Sequence, residues 1–185
     1  MRPLKRAEYD RLVALGCFDD EKIELLNGML VAVSPQGAGH AYVTTKLTAL
    51  LIRALGERAI VQCQAPLGAW DDSEPEPDLA VVPNRDYSHD HPASALLVIE
   101  VAQSSLDKDR LVKATLYARA GVPEYWIVNL PERVVEVHRD PRPDGGYASV
   151  TIHGADQTIH PAAFPDVAVA IAEVLPRAAE RISDR

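Results

Sequence analysis

The sequence predicts a mixed α/β fold, a central sheet flanked by helices, and three observations carry that expectation. Apolar runs at 79–82, 96–102 and 124–128 have the length of strands and are too short for helices. Two longer stretches, 39–55 and 107–120, space their apolar residues as helices do, and each ends at a glycine, Gly56 and Gly121. Near the N-terminus, Asn27-Gly28 stands between two apolar runs, and this pair accepts positive φ, so it signals a tight hairpin. Strands and helices follow one another without a strict βαβ order, which favours a mixed sheet over a purely parallel one.

At 185 residues the chain is expected to form one domain, 1–185, able to bury a core without staples. Apolar residues at 47% and charged residues at 25% are ordinary for a soluble protein, so neither a membrane nor a disordered class is indicated. The start, Met1-Arg2-Pro3-Leu4-Lys5, lacks the apolar stretch of a signal peptide, and no apolar run reaches the length of a membrane span. The expectation is a cytoplasmic protein with no membrane partner. Cys17 and Cys63 have no metal-finger spacing and are expected as reduced thiols, small residues of the core. A net charge of −8 speaks against non-specific wrapping of nucleic acid, which needs a basic face.

In chain order, residues 4–15 read as a short helix closed by Gly16. The hairpin follows, 22–26 and 29–33, with Glu24 on its first strand and Ile23 and Leu25 on the opposite face. In the helix 39–55, Val43, Leu47, Leu50, Leu51, Ala54 and Leu55 form the apolar stripe, and His40 lies in the first turn. Residues 59–64 and 67–70 read as strands. The acidic, proline-broken segment 71–76 then delivers Asp78 to the start of the strand 79–82. Beyond 124–128 come strands at 134–138 and 147–153, with a turn over 141–146. A strand stub leads into a terminal helix within 167–182.

Chemistry enters with Glu100, because a lone carboxylate is expensive to bury inside so apolar a run. A cation is required: a metal shared with Asp78, a nearby lysine, or both. Strand alternation puts Val98, Glu100 and Ala102 on one face and Asp78, Ala80 and Val82 on one face. If the two strands are neighbours, the two acids meet on one side of the sheet, where they cannot both ionise cheaply without a cation. Mg²⁺ or Mn²⁺ suits such a pair, since hard cations take one or two carboxylates plus waters. Open positions would then remain for a phosphate oxygen and a water. In the helix 107–120, Asp109, Lys113, Tyr117 and Ala120 recur at steps of three and four, so Lys113 stands on one stripe with them. The same spacing also describes a plain surface ion pair between Asp109 and Lys113.

These residues resemble a known family. Pro77-Asp78 at a strand start and Glu100-Val101 on a buried strand resemble the PD-(D/E)XK restriction-endonuclease-like superfamily. A wider set resembles the Uma-two family of restriction endonucleases over roughly 7–175. It comprises Ile23-Glu24-Leu25-Leu26-Asn27-Gly28, His40, Pro77-Asp78-Leu79, Ile99-Glu100-Val101, then Asp109, Lys113 and Tyr117-Ala118. Its most specific part is Ala120-Gly121-Val122-Pro123-Glu124-Tyr125-Trp126-Ile127-Val128. The resemblance implies a restriction-endonuclease-like sheet with an N-terminal helix and hairpin, and metal-dependent hydrolysis of phosphodiester bonds in nucleic acid, DNA foremost. It implies Asp78 and Glu100 as catalytic metal ligands and the carbonyl of Val101 as a third. Glu24 would complete the metal site directly or through water. The superfamily places a lysine two residues after the Glu, where this chain has Ala102, so Lys113 would have to serve from the helix. Gln103-Ser104-Ser105 also stands where the family has Ser-Pro-Ser.

His40, Gln103 and Tyr117 are candidate substrate contacts, weighed against a surface helix start, a solvated strand end and simple packing. His89 and His91 read as surface histidines, and Tyr125 and Trp126 as core. A homodimer is expected, packed through 163–165 and the terminal helix. The competing reading is a catalytically inactive binding or assembly protein that keeps the nuclease fold, which the acidic balance and Ala102 favour.

Overall fold

The apolar runs of the sequence become the inner strands of one six-stranded sheet in the computed structural model, which describes residues 2–177. A first helix, α1 (Arg6–Ala14), precedes the hairpin of β1 (Ile23–Leu26) and β2 (Met29–Ala32). Asn27 and Gly28 turn that hairpin at φ 50° and 76°, the positive pair that a two-residue turn requires. The long helix α2 (Ala38–Leu55) follows. The main sheet runs in order through β3 (Ala59–Cys63), β4 (Leu79–Pro83), β5 (Leu97–Ala102), β6 (Glu124–Asn129), β7 (Val134–Arg142) and β8 (Gly146–Gly154).

All neighbours in this sheet are antiparallel except β5 and β6. A parallel pair needs a long crossover, and a helical segment supplies it. That segment begins as α3 (Leu106–Lys108), passes through a π-helical stretch, Asp109–Lys113, and continues as α4 (Ala114–Arg119). A small second pair, β9 (Thr158–Ile159) and β10 (Val169–Ala170), leads into α5 (Ile171–Val174).

Strand alternation divides the core in two. Leu79, Val81, Leu97, Ile99 and Val101 face Val43, Leu47, Leu51 and Leu55 of α2 and Ile171 of α5. Ala80, Val82, Val98 and Ala102 face Leu116 and Tyr117 of α4. Each fully buried leucine stabilises the fold by about 1.5–3 kcal/mol, so helices are held on both sheet faces and the parallel pair lies between them.

Several local expectations change. Residues 67–70 form no strand, only a single bridge between Trp70 and Ser73. Their backbone groups are satisfied locally instead, Leu67 N–H by Pro75 and Gly68 N–H by Pro92. Cys17 and Cys63 are exposed rather than core residues, one in the turn after α1 and one ending the edge strand β3. The β7–β8 hairpin is longer than expected, because pairing continues to Arg142 opposite Gly146 and the turn narrows to three residues. Phe164, expected at a dimer contact, packs against the core of its own chain beneath the Arg58 guanidinium. The expected terminal helix is only α5, which ends at Val174 before an extended Leu175, and the part of the expectation at 178–182 lies outside the described residues.

Candidate metal and catalytic site

Asp78 and Glu100 are brought together by strand register. Leu79 pairs with Ile99 across β4 and β5, so one step further along the antiparallel ladder Asp78 stands opposite Glu100, on the same face. The ladder does not continue by backbone there. Val101 N–H donates to Asp78 Oδ2 at 2.8 Å, and His40 Nε2, from the first turn of α2, lies 2.9 Å from the same oxygen. A long contact from Gln36 Nε2 reaches Oδ1 at 3.4 Å. The position is the C-terminal end of β5, in the open end of the sheet beside the parallel pair, where α/β folds place ligands.

Glu100 is only 4% exposed. Its Oε1 accepts hydrogen bonds from Lys113 Nζ and the Tyr117 hydroxyl, both at 2.8 Å. Oε2 has no hydrogen-bond partner among the described residues, and the residue lines a cavity of about 470 Å³. Burial raises the Glu100 carboxyl to about 8, opposed by the Lys113 ammonium and reinforced by the negative charges of Asp78 and Asp109. Lys113 is equally buried. Burial alone would lower its pKa, but Glu100 and Glu24 outweigh burial and raise it, so the amine keeps its proton.

The π-helical stretch sets these positions. A π turn admits one residue more than an α turn, and here it runs from Asp109 to Lys113. The Asp109 carbonyl accepts the Ala114 N–H that closes the π turn and, at 3.3 Å, the Tyr125 hydroxyl as a second donor. Asp109 Oδ2 accepts from the Ser105 hydroxyl at 2.6 Å, while Oδ1 is buried without a partner among the described residues. Burial raises the Asp109 pKa in consequence.

Glu24 comes from the hairpin and is also buried. The Glu76 N–H donates to its Oε2 at 3.2 Å, and Lys113 Nζ lies 3.5 Å from the same oxygen. Glu24 and Glu100 therefore share the lysine amine, Glu100 at the shorter distance. Among the described residues no three His, Cys, Asp or Glu side chains cluster as a metal-ligand set. The ligands on offer are thus two carboxyl groups with backbone oxygen, a donor set suited to a hard ion that keeps several waters.

The remaining expectations divide. His40 and Gln103 line the cavity, and Gln103 lies against Gly37, where a Cβ would come within 2.9 Å of its Oε1. Tyr117 does not reach the cavity: it is fully buried behind Glu100, so its place is beside the acid and not against a substrate. The surface ion pair between Asp109 and Lys113 is absent, since both are buried and Lys113 pairs with Glu100 and Glu24. Ala102 is packed under the helix layer, and the amine beside Glu100 comes from the helical segment, at Lys113. His89 and His91 are exposed, and Tyr125 and Trp126 are core. Lys108, Gln36 and Asp109 were not singled out as site residues from sequence. Lys108 and Gln36 sit in polar segments without a pattern, and the phase of a π turn leaves no periodic signal.

The fold is that of the restriction-endonuclease-like α/β class. The chain belongs to the Uma2 family, described as "Putative restriction endonuclease", whose family model matches residues 6–173. A solved structure from Anabaena variabilis, titled as a "putative nuclease belonging to DUF820", superimposes with a TM-score of 0.69. It shares 16% identity, and the alignment covers 93% of this chain and 97% of that one, so the likeness is one of fold. Among curated proteins nothing matches the chain. Among the described residues no helix is long and apolar enough to cross a membrane.

Proposed function

We propose that this chain is an endonuclease that hydrolyses phosphodiester bonds in nucleic acid, DNA foremost, with Mg²⁺ or Mn²⁺ as its cofactor. One observation carries the reading: Asp78 and Glu100 stand opposite each other at one cavity, with the Lys113 ammonium 2.8 Å from Glu100. The residues fit a hard divalent ion, because burial leaves Glu100 holding a proton up to about pH 8 unless a cation replaces it.

Asp78 and the unbonded Oε2 of Glu100 would hold the ion, with Glu24 joining through water. The Val101 carbonyl would be a further ligand, since in a strand it projects to the same side as the N–H that Asp78 accepts. The ion supplies a Lewis acid for the phosphate and a water of lowered pKa. The chain's own residues do the positioning. His40 and Val101 N–H fix Asp78, while Tyr117 and Lys113 fix Glu100 through Oε1 and keep Oε2 for the ligand. The Lys113 ammonium, protonated at neutral pH, orients the attacking water or balances phosphate charge.

Nicking of supercoiled plasmid tests the reading. Cleavage is expected with Mg²⁺ or Mn²⁺, none with EDTA, and a loss of at least about a hundredfold in Glu100→Gln and Asp78→Asn. Glu100→Gln cutting at the wild-type rate overturns it. A chain that neither cuts DNA nor binds Mn²⁺ in calorimetry would instead be the non-catalytic binding or assembly protein of this fold.

A further inference from the structure

We infer that Lys108 is a phosphate contact that seats the nucleic-acid backbone over the site, an inference that rests on the nuclease reading. The cavity is lined by five acidic residues, Glu24, Glu76, Asp78, Glu100 and Asp109, against three lysines. A polyanion entering such a cavity needs a cation that is not already committed. Two of the lysines are committed. Lys113 is buried on Glu100 at 2.8 Å, and Lys22 is tied to Glu76 at 2.9 Å.

Lys108 differs from Lys113 in exposure, 32% against 5%, and from Lys22, itself 42% exposed, in the length of its ion pair. Its partner is Glu24 Oε1 at 3.3 Å, long for a hydrogen bond between charged groups. Glu24 has further donors on its other oxygen, Oε2, in the Glu76 N–H and Lys113. Releasing Lys108 therefore keeps Oε2 held and gives up one long contact to Oε1, which faces the cavity for water, and the lysine turns outward on its flexible four-carbon stem. Lys108 is the last residue of α3, directly before the π stretch that carries Lys113, which fixes its stem on the cavity wall. The two amines have separate tasks: Lys113, held on Glu100, serves the reacting phosphate and its water, and Lys108 meets the flanking phosphate backbone at the mouth of the cavity. A point charge of this kind carries no base readout, so its effect is uniform across sequences.

Fluorescence anisotropy with a labelled DNA duplex in Ca²⁺, repeated over a salt series, tests this. Lys108→Ala is expected to weaken binding by up to about eightfold at about 0.1 M salt, the worth of one released counterion, and to reduce the salt slope by about one. Lys108→Arg is expected to restore both. Wild-type binding with an unchanged affinity and slope in Lys108→Ala overturns the inference and leaves the nuclease reading standing. A weaker affinity at unchanged slope also overturns it, since the residue would then act on the fold and not on phosphate. A wild-type chain that binds no duplex overturns both.

Discussion

Replacing Lys113 by methionine keeps an unbranched side chain in the core and removes the ammonium between Glu100 and Glu24. Its cost depends on pH in a way the structure sets. Burial holds the Glu100 carboxyl at about 8 in the fold, against an ordinary 4.5. A carboxyl raised in this way keeps its proton in the fold after the unfolded chain has lost it. Its contribution to stability is therefore full below about pH 4.5 and declines until about pH 8. Lys113 is the largest influence opposing that rise, so in Lys113→Met the Glu100 value moves higher and the decline continues where the wild type's has ended. At about pH 7 the gap between the two proteins is the loss of a charge-assisted hydrogen bond, about 2 kcal/mol. Above about pH 8 it widens by about 1.4 kcal/mol per pH unit. It reaches about 3.5 kcal/mol at about pH 9, within the range for breaking a buried ion pair. Urea unfolding in EDTA, followed by the fluorescence of buried Trp126, measures it. A gap equal at both pH values, or a variant as stable as wild type at the higher one, would refute the reasoning.

Three further outcomes are expected. Binding of Mn²⁺ at about pH 7 releases about one proton, because the Glu100 proton must leave. Calorimetry in buffers of different ionisation heat counts it, and a count of zero contradicts the carboxyl's raised value. Tyr117→Phe removes one of the two donors to Glu100 Oε1 and lowers Mn²⁺ affinity by about tenfold, the usual effect of losing a group that orients a ligand; unchanged affinity counts against that role. Glu124→Ala strands the Trp126 indole N–H and removes the acceptor of the Ala162 N–H and of Arg139, whose half-exposed guanidinium keeps the His160 carbonyl. The expected loss of stability is about 2–3 kcal/mol, the cost of leaving a buried donor without its acceptor, in the same urea assay, and a loss under about 1 kcal/mol would show that this network is dispensable.

Much of the sheet and the heart of the site were legible because they follow short periods. Asp78 and Glu100 could be placed on one face from alternation alone, and the register of β4 and β5 puts them opposite each other. Glu100 betrayed itself by standing in an otherwise apolar run, and the lysine that answers it was visible at Lys113. Other features depend on phase or on distant chain. The π stretch at Asp109–Lys113 carries no signature in the i, i+4 spacing, so the Asp109 and Lys113 stripe read equally well as a surface pair. Tyr117 shares that stripe, yet only the packing of α4 on the sheet shows that it is sealed behind Glu100. Glu24 takes its partners from the acidic loop and from α3, both remote in sequence. The loop 67–70 looked like a strand because it is apolar, yet of its apolar side chains only Leu67 is fully buried, Trp70 is exposed, and the backbone partners of Leu67 and Gly68 lie in other loops.

The central claim is that Asp78 and Glu100 share one divalent ion. Crystals soaked in Mn²⁺ and measured for anomalous scattering test it most directly. The account predicts a single strong peak about 2.1 Å from an oxygen of each carboxyl group, with the Lys113 amine still on Glu100. A peak elsewhere on the chain, or none at a concentration that supports DNA cleavage, would contradict it.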